Sequence, residues 1–189
     1  METGTIILIG VGVVIFLIVI WFISTSNAIN RIKLKIDESL SGVEIMLRQR
    51  YDVLMQGKSI AEQYAQHEQK VFEELRQLSQ LPTNASVQQI NEASQSQEQA
   101  IKGIYALGEA YPELKSAEIF NNLINQLSEQ SIQYSASRRA VNGNITKLNN
   151  YVVAFPASMV CGMKGVTKMD YIHEENLEQL KNIDMSMKL

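Results

Sequence analysis

Residues 5–23 read TIILIGVGVVIFLIVIWFI, nineteen consecutive residues without a charge. At about 1.5 Å of rise per residue, a helix of that length spans roughly 30 Å, the thickness of a bilayer's hydrocarbon core. A cleaved signal peptide would begin with a basic region, hold a shorter apolar core and leave through small residues. Here the only charge before the stretch is Glu2, and the stretch ends Ile20-Trp21-Phe22-Ile23. The reading is an uncleaved membrane anchor, residues 1–25. Ile6, Ile9, Val13, Phe16, Ile20 and Trp21 face lipid, and Trp21 and Phe22 lie where an aromatic belt is expected. The first partner is therefore the lipid bilayer. Arg31, Lys33 and Lys35 follow the span while no Lys or Arg precedes it, which puts the N-terminus outside and the large domain in the cytoplasm. If these three charges form only a solvated helix face, the alternative is a domain on the outer side.

Beyond the anchor the composition changes to Gln, Asn, Ser and Glu. The chain of 189 residues leaves room for one domain besides the anchor. Net charge is −3 and no block of like charges occurs, so no nucleic-acid partner is expected. Cys161 is the only cysteine, which excludes a disulfide framework and a thiolate metal cluster within one chain. Set among Met159, Val160 and Met163, it reads as a small buried hydrophobe rather than a reactive thiol.

Apolar residues at Ile29, Ile32, Ile36, Leu40, Val43, Leu47 and Leu54 recur at intervals of three, four and seven and define one helical stripe, which Tyr51 completes. No Pro or Gly pair separates this helix from the anchor, so the two are expected to be continuous. Gly57-Lys58-Ser59 reads as a soft break, after which Ile60, Tyr64, Val71, Leu75 and Leu78 resume the pattern to Leu81. Pro82-Thr83-Asn84 ends it. Ser86 is an N-cap for a helix from Val87 to Leu107 with a thin apolar side. Gly108 and Tyr111-Pro112 form the next break, and a helix beginning at Ser116 runs to Phe155, where Pro156 stops it. Its stripe is Phe120, Leu123, Leu127, Tyr134, Val141, Ile145, Leu148 and Val152. Ser131 and Arg138 interrupt it at inward positions, where polar residues set register against a partner helix. The apolar segment Met159 to Val166 is too short to cross a bilayer. Three readings stay open for it: a cap on the bundle, a membrane contact or a contact with a neighbouring subunit.

Several motifs resemble those of the LemA family, membrane-anchored helical proteins of bacteria. Val43, Leu47, Arg48, Arg50, Tyr51, Asp52 and Leu54 match its first-helix motif, and Tyr64-Ala65-Gln66-His67-Glu68 is similar to its Tyr-Ala-x-His-Glu signature. Tyr111-Pro112-Glu113-Leu114-Lys115 resembles the run before its last long helix, which closes through Asn142, Ile145, Asn149 and Phe155-Pro156. The resemblance covers residues 27–172. The chain departs from the pattern at Met55-Gln56, where the family has Pro, at Val141-Asn142 and Leu148-Asn149, where it has Tyr-Asn pairs, and at Leu40, where it has Trp; it looks like a divergent member. The resemblance implies a transmembrane helix, a bundle of long antiparallel helices, and a role near membrane-protein quality control and assembly. The expected fold is all-α: one N-terminal transmembrane helix followed by an elongated antiparallel helical bundle, residues 26–172, and a tail, 173–189.

Catalytic triads, phosphate loops, dinucleotide fingerprints and the zinc-protease pattern are absent from the sequence. His67-Glu68 is the one suggestive pair, but adjacent helical residues point about 100° apart and cannot share a metal face unaided. Tyr51, Tyr64, Tyr111 and Tyr134 read as core rather than a binding set, and Arg48, Arg50, Arg138 and Arg139 as a solvated face or as partners of acidic groups or lipid phosphates. No cofactor or metal is expected. The functional reading is a non-enzymatic, membrane-anchored scaffold that forms a homo-oligomer and presents a surface to other membrane proteins. Its packing and oligomer candidates are Ile36, Val43, Leu47, Tyr51, Phe120, Leu127, Tyr134, Ile145, Leu148 and Val152. One rival is a transmembrane sensor or adaptor coupled to a kinase or protease. The other is a metal-dependent enzyme using His67.

Overall fold

The structure, a computed structural model, describes residues 2–64, 78 and 80–173, with backbone alone at Glu2 and Tyr64. Five helices and no strand occur among them: α1 (Glu2–Tyr64), α2 (Val87–Ala110), α3 (Pro112–Ser116), α4 (Glu118–Val153) and α5 (Ala157–Met163). The fold is all-α, as the stripes required. The signature around His67 and the tail from residue 174 lie outside the described residues.

The expected break at Gly57-Lys58-Ser59 does not occur, and α1 runs through it to Tyr64. Gly57 is buried, and a Cβ there would stand 2.8 Å from Ile104 Cδ1 and 3.0 Å from Leu123 Cδ2. Its glycine marks close helix packing. Gly108 also lies inside a helix, since α2 continues to Ala110; a Cβ would meet the Phe120 ring at 2.7 Å. The real interruption is Tyr111-Pro112, with Pro112 in the first turn of α3, where no N–H is missed. Ser116 ends α3 instead of opening the long helix, which starts at Glu118.

Contacts divide the chain into two compact units, Met1–Glu38 with Gly143–Asp170, and Ser39–Asn142 with Tyr171–Leu189. In the second unit α1 and α2 run in the same sense, because Glu44 meets Ala85, Arg50 meets Gln97, and Gly57 faces Ile104. Helix α4 runs against both, with Phe120 at Gly108 and Leu123 at Gly57. Leu54, Ile101, Ile104, Leu107, Leu114, Phe120 and Leu127 fill the core between them. Buried positions recur at seven-residue intervals: Val43, Arg50 and Gly57 on α1, Ile90, Gln97 and Ile104 on α2, and Phe120, Leu127, Tyr134 and Val141 on α4.

Helix α2 starts as its sequence demands. Ser86 Oγ accepts from Gln89 N at 3.2 Å and Gln89 Oε1 accepts from Ser86 N at 2.8 Å, a reciprocal capping box. The preceding turn places Asn84 at φ 57°, a left-handed conformation that asparagine tolerates. Glu44 secures it by accepting from Ala85 N at 2.9 Å and Asn84 N at 3.3 Å. Arg48 donates to Glu44 and to Pro82 O.

In the first unit α1 is exposed over residues 3–20 and first becomes buried at Thr25, followed by Ile29 and Ile36. Ile145, Leu148, Val160 and Cys161 supply the other buried apolar groups. Asn144 Nδ2 donates to Lys35 O at 3.4 Å, and Lys164 Nζ donates to Ser26 Oγ and Asn30 Oδ1, each at 2.8 Å. Helix α4 therefore runs antiparallel to α1 here too.

The glycines give opposite expectations for the same substitution. Among the described residues nothing lies within 4 Å of where a Cβ on Gly143 would stand, so Gly143→Ala stabilises by about 0.5–1 kcal/mol through reduced chain entropy. Gly108→Ala gains the same term but pushes into the buried Phe120 ring, for a net loss of about 1–3 kcal/mol. Urea unfolding in mild detergent measures both; shifts of equal sign would refute the close-packing reading of Gly108.

Candidate functional site

Two features stand out as candidates: the uncovered apolar segment of the first unit and the buried polar groups of the second. Helix α1 contains an 18-residue window of mean hydropathy 3.3, none of it buried. It is long and apolar enough to cross a membrane. Ile6, Ile9, Val13, Phe16, Ile20 and Trp21 all stand exposed. A soluble domain buries such a helix in its core; this fold leaves it bare.

Arg50 is 0 % exposed and lies at the middle of the second unit's polar layer. Its Nε donates to Gln97 Oε1 at 2.7 Å, and Gln97 Nε2 donates to Leu47 O at 2.9 Å. The guanidinium lies over the Tyr134 ring, 4.6 Å from its centroid, a cation–π contact stripped of water. Ser94, Ser131, Ser135 and Arg138 are buried as well, and Arg138 Nη1 donates to His173 O at 2.9 Å. The solvated-face reading therefore fails for Arg50 and Arg138 and describes Arg139, which is exposed. Tyr51, placed on the stripe by sequence, is only half-buried; Arg50 holds the inward position. Counting apolar residues alone skipped it, although Val43, Leu47, Arg50 and Leu54 keep the three/four spacing without a gap.

Residues 166–173 have no regular secondary structure, and asparagine side chains hydrogen-bond part of their backbone. In the first unit Asn149 Oδ1 accepts from Met169 N and its Nδ2 donates to Met169 O, both at 2.9 Å. In the second, Asn142 grips Ile172 the same way at 2.9 and 2.8 Å. Asn91 accepts from His173 N at 2.8 Å and donates to Tyr171 O. A carboxamide carries the donor and acceptor of a peptide group, so these side chains act as a substitute strand neighbour. Asn142→Ala removes two bonds worth about 1 kcal/mol each. The Ile172 amide should then exchange its hydrogen roughly tenfold faster or more, because every 1.4 kcal/mol is a factor of ten. Asn142→Asp keeps the acceptor and should keep most of the protection. Unchanged exchange in the alanine variant would discard the clamp.

Of the ten packing candidates, Ile36, Val43, Leu47, Phe120, Leu127, Tyr134, Ile145 and Leu148 are buried within one chain, and Tyr51 and Val152 are half-buried. The eight buried ones are covered by the chain's own packing. Tyr111 is half-buried against the core. Cys161 is buried, and that burial pushes its thiol above the usual value while Lys164 opposes the shift. Among the described residues no three His, Cys, Asp or Glu side chains gather as metal ligands. A cavity of about 290 Å³ is lined, among the described residues, by Leu78, Leu81, Pro82, Gln89 and Glu92 with their neighbours.

A family model described as the LemA family matches residues 39–186. No curated protein matches the chain.

Proposed function

The chain belongs to the LemA family, and from that premise we propose that it is a non-enzymatic, single-pass membrane scaffold that self-associates and presents its helical domain to membrane-protein partners. The observation that supports this reading is the bare apolar window of α1, at hydropathy 3.3, in the same helix that supplies Val43, Leu47 and Leu54 to the core. Lipid is the solvent that covers such a segment, and the remaining domain offers packed helices. Exposed Arg31, Lys33 and Lys35 follow the span, and the positive-inside rule puts the domain in the cytoplasm. Exposed Ile119 and Ile132 on α4 and Ile45 on α1 are candidates for partner contact in place of the buried stripe.

Cross-linking in intact membranes, followed by light scattering of the protein in mild detergent, tests self-association. Species larger than a monomer at micromolar concentration are expected, and a monomer in both measurements would overturn the oligomeric scaffold. Protease added to intact spheroplasts should leave the domain untouched; its digestion from outside would reverse the orientation.

A sensor or adaptor is the second reading, favoured by the unbroken helix at Thr25-Ser26. A Gly-Ser insertion there should abolish a transmitted signal and leave scaffolding intact, so an unchanged phenotype would dismiss it.

A further inference from the structure

We propose that the corner between α4 and α5 is a second membrane contact, seated in the acyl boundary of the leaflet from which α1 emerges. The proposal rests on the reading of residues 5–23 as a span and otherwise on geometry inside the first unit. Val153, Phe155, Met159 and Met163 are exposed there, Phe155 at 82 % and Met163 at 76 %. Val160 and Cys161 are buried. The short helix α5 thus has one side covered by protein and another that presents methionine to the outside.

The corner's height along α1 follows from two contacts. Asn144 meets the Lys35 carbonyl, and α4 runs antiparallel to α1. Nine further residues, about 13 Å, carry α4 to Val153 at the level of Ser26. On the far side of the corner Lys164 Nζ lies 2.8 Å from both Ser26 Oγ and Asn30 Oδ1. Ser26 is three residues past Ile23, the last residue of the span, or about 5 Å along the axis. The exposed side chains therefore stand within about one helical turn of the lipid-covered part of α1, at the depth where interfacial apolar groups settle.

Charge selects lipid over a second copy as the occupant. Between Gly143 and Asp170 the charged side chains are Lys147, Lys164, Lys168 and, at the far end, Asp170, a net positive set. That pattern suits phosphate headgroups, whereas two copies meeting through this surface would bring lysines together. Phenylalanine and flexible methionine fill irregular acyl space readily. The corner is too short to cross, since seven helical residues cover only about 10 Å, so it dips and returns. Two contacts on one leaflet restrain the tilt of α1.

The full-length chain reconstituted into phosphatidylcholine vesicles containing phosphatidylglycerol tests this. Ala154 is exposed at the corner without belonging to the apolar set, so Ala154→Cys takes an environment-sensitive fluorophore; wild-type protein, whose Cys161 is buried, controls for labelling. The label should be quenched by nitroxide on the lipid acyl chain at least roughly threefold more than by aqueous iodide. A label at Arg139→Cys should show the reverse preference. Phe155→Asp with Met159→Asp should abolish the nitroxide quenching while the helical spectrum and vesicle flotation persist. Iodide quenching of the corner label in protein that still floats in carbonate would overturn the proposal and leave the span intact. Shielding from both quenchers would overturn it in favour of a protein partner. Protein that fails to float would remove the span, and the proposal with it.

Discussion

Arginine at Val13 and Phe16 moves the protein from the carbonate-washed membrane pellet to the supernatant or to degradation. Both residues lie near the centre of the charge-free stretch and are exposed. An arginine at mid-membrane costs about 2.5–3.5 kcal/mol on insertion scales, so the pair opposes insertion by about 5–7 kcal/mol. None of the window is buried, so the described residues provide no protein cover to offset that cost. The same substitutions at Leu34 and Ile45, exposed apolar residues beyond the span, change stability by no more than about 0.5 kcal/mol and leave the protein in the pellet. Retention of the double-arginine variant in the carbonate pellet would show that residues 5–23 are not the anchor.

Arg50→Ala lowers the unfolding midpoint as strongly as truncation of a fully buried stripe leucine. The side chain is wholly buried, so its removal opens a cavity and leaves Gln97 Oε1 without the donor it has from Arg50. Cavity formation and the unsatisfied amide together cost about 3–5 kcal/mol. Lysine does not substitute, because it lacks the planar group that stacks on Tyr134 and the Nε–H that meets Gln97. A double-mutant cycle with Gln97→Ala should return a coupling of about 1–3 kcal/mol. A loss under about 0.5 kcal/mol for Arg50→Ala would show that the polar layer contributes no stability.

The polar layer and the stripes divide differently between sequence and structure. Periods of three, four and seven at Ile29, Ile36, Val43, Phe120, Leu127 and Leu148 are local properties of a helix, and they foretold which sides turn inward. Ser86 announced a helix start for the same reason, since its cap partner, Gln89, lies only three residues on. Ser131 and Arg138 read as inward because the spacing around them leaves no other position. Arg50 obeys the same spacing, but an apolar stripe does not include a charge, and spacing alone does not separate a buried arginine from a solvated one. Its partner, Gln97, lies 47 positions away.

What the amino-acid sequence determined alone is the all-α class, the inward stripes and the single lipid-length segment, all of which follow from hydropathy and period within a few turns. Tertiary structure decided whether Gly57 and Gly108 are breaks or contact points, since the answer depends on Ile104, Leu123 and Phe120 arriving within about 3 Å. It also decided that Asn91, Asn142 and Asn149 hold the segment after α5 and that Phe155, Met159 and Met163 stay uncovered. Those outcomes depend on groups far apart in the chain meeting in space, and no local period encodes that.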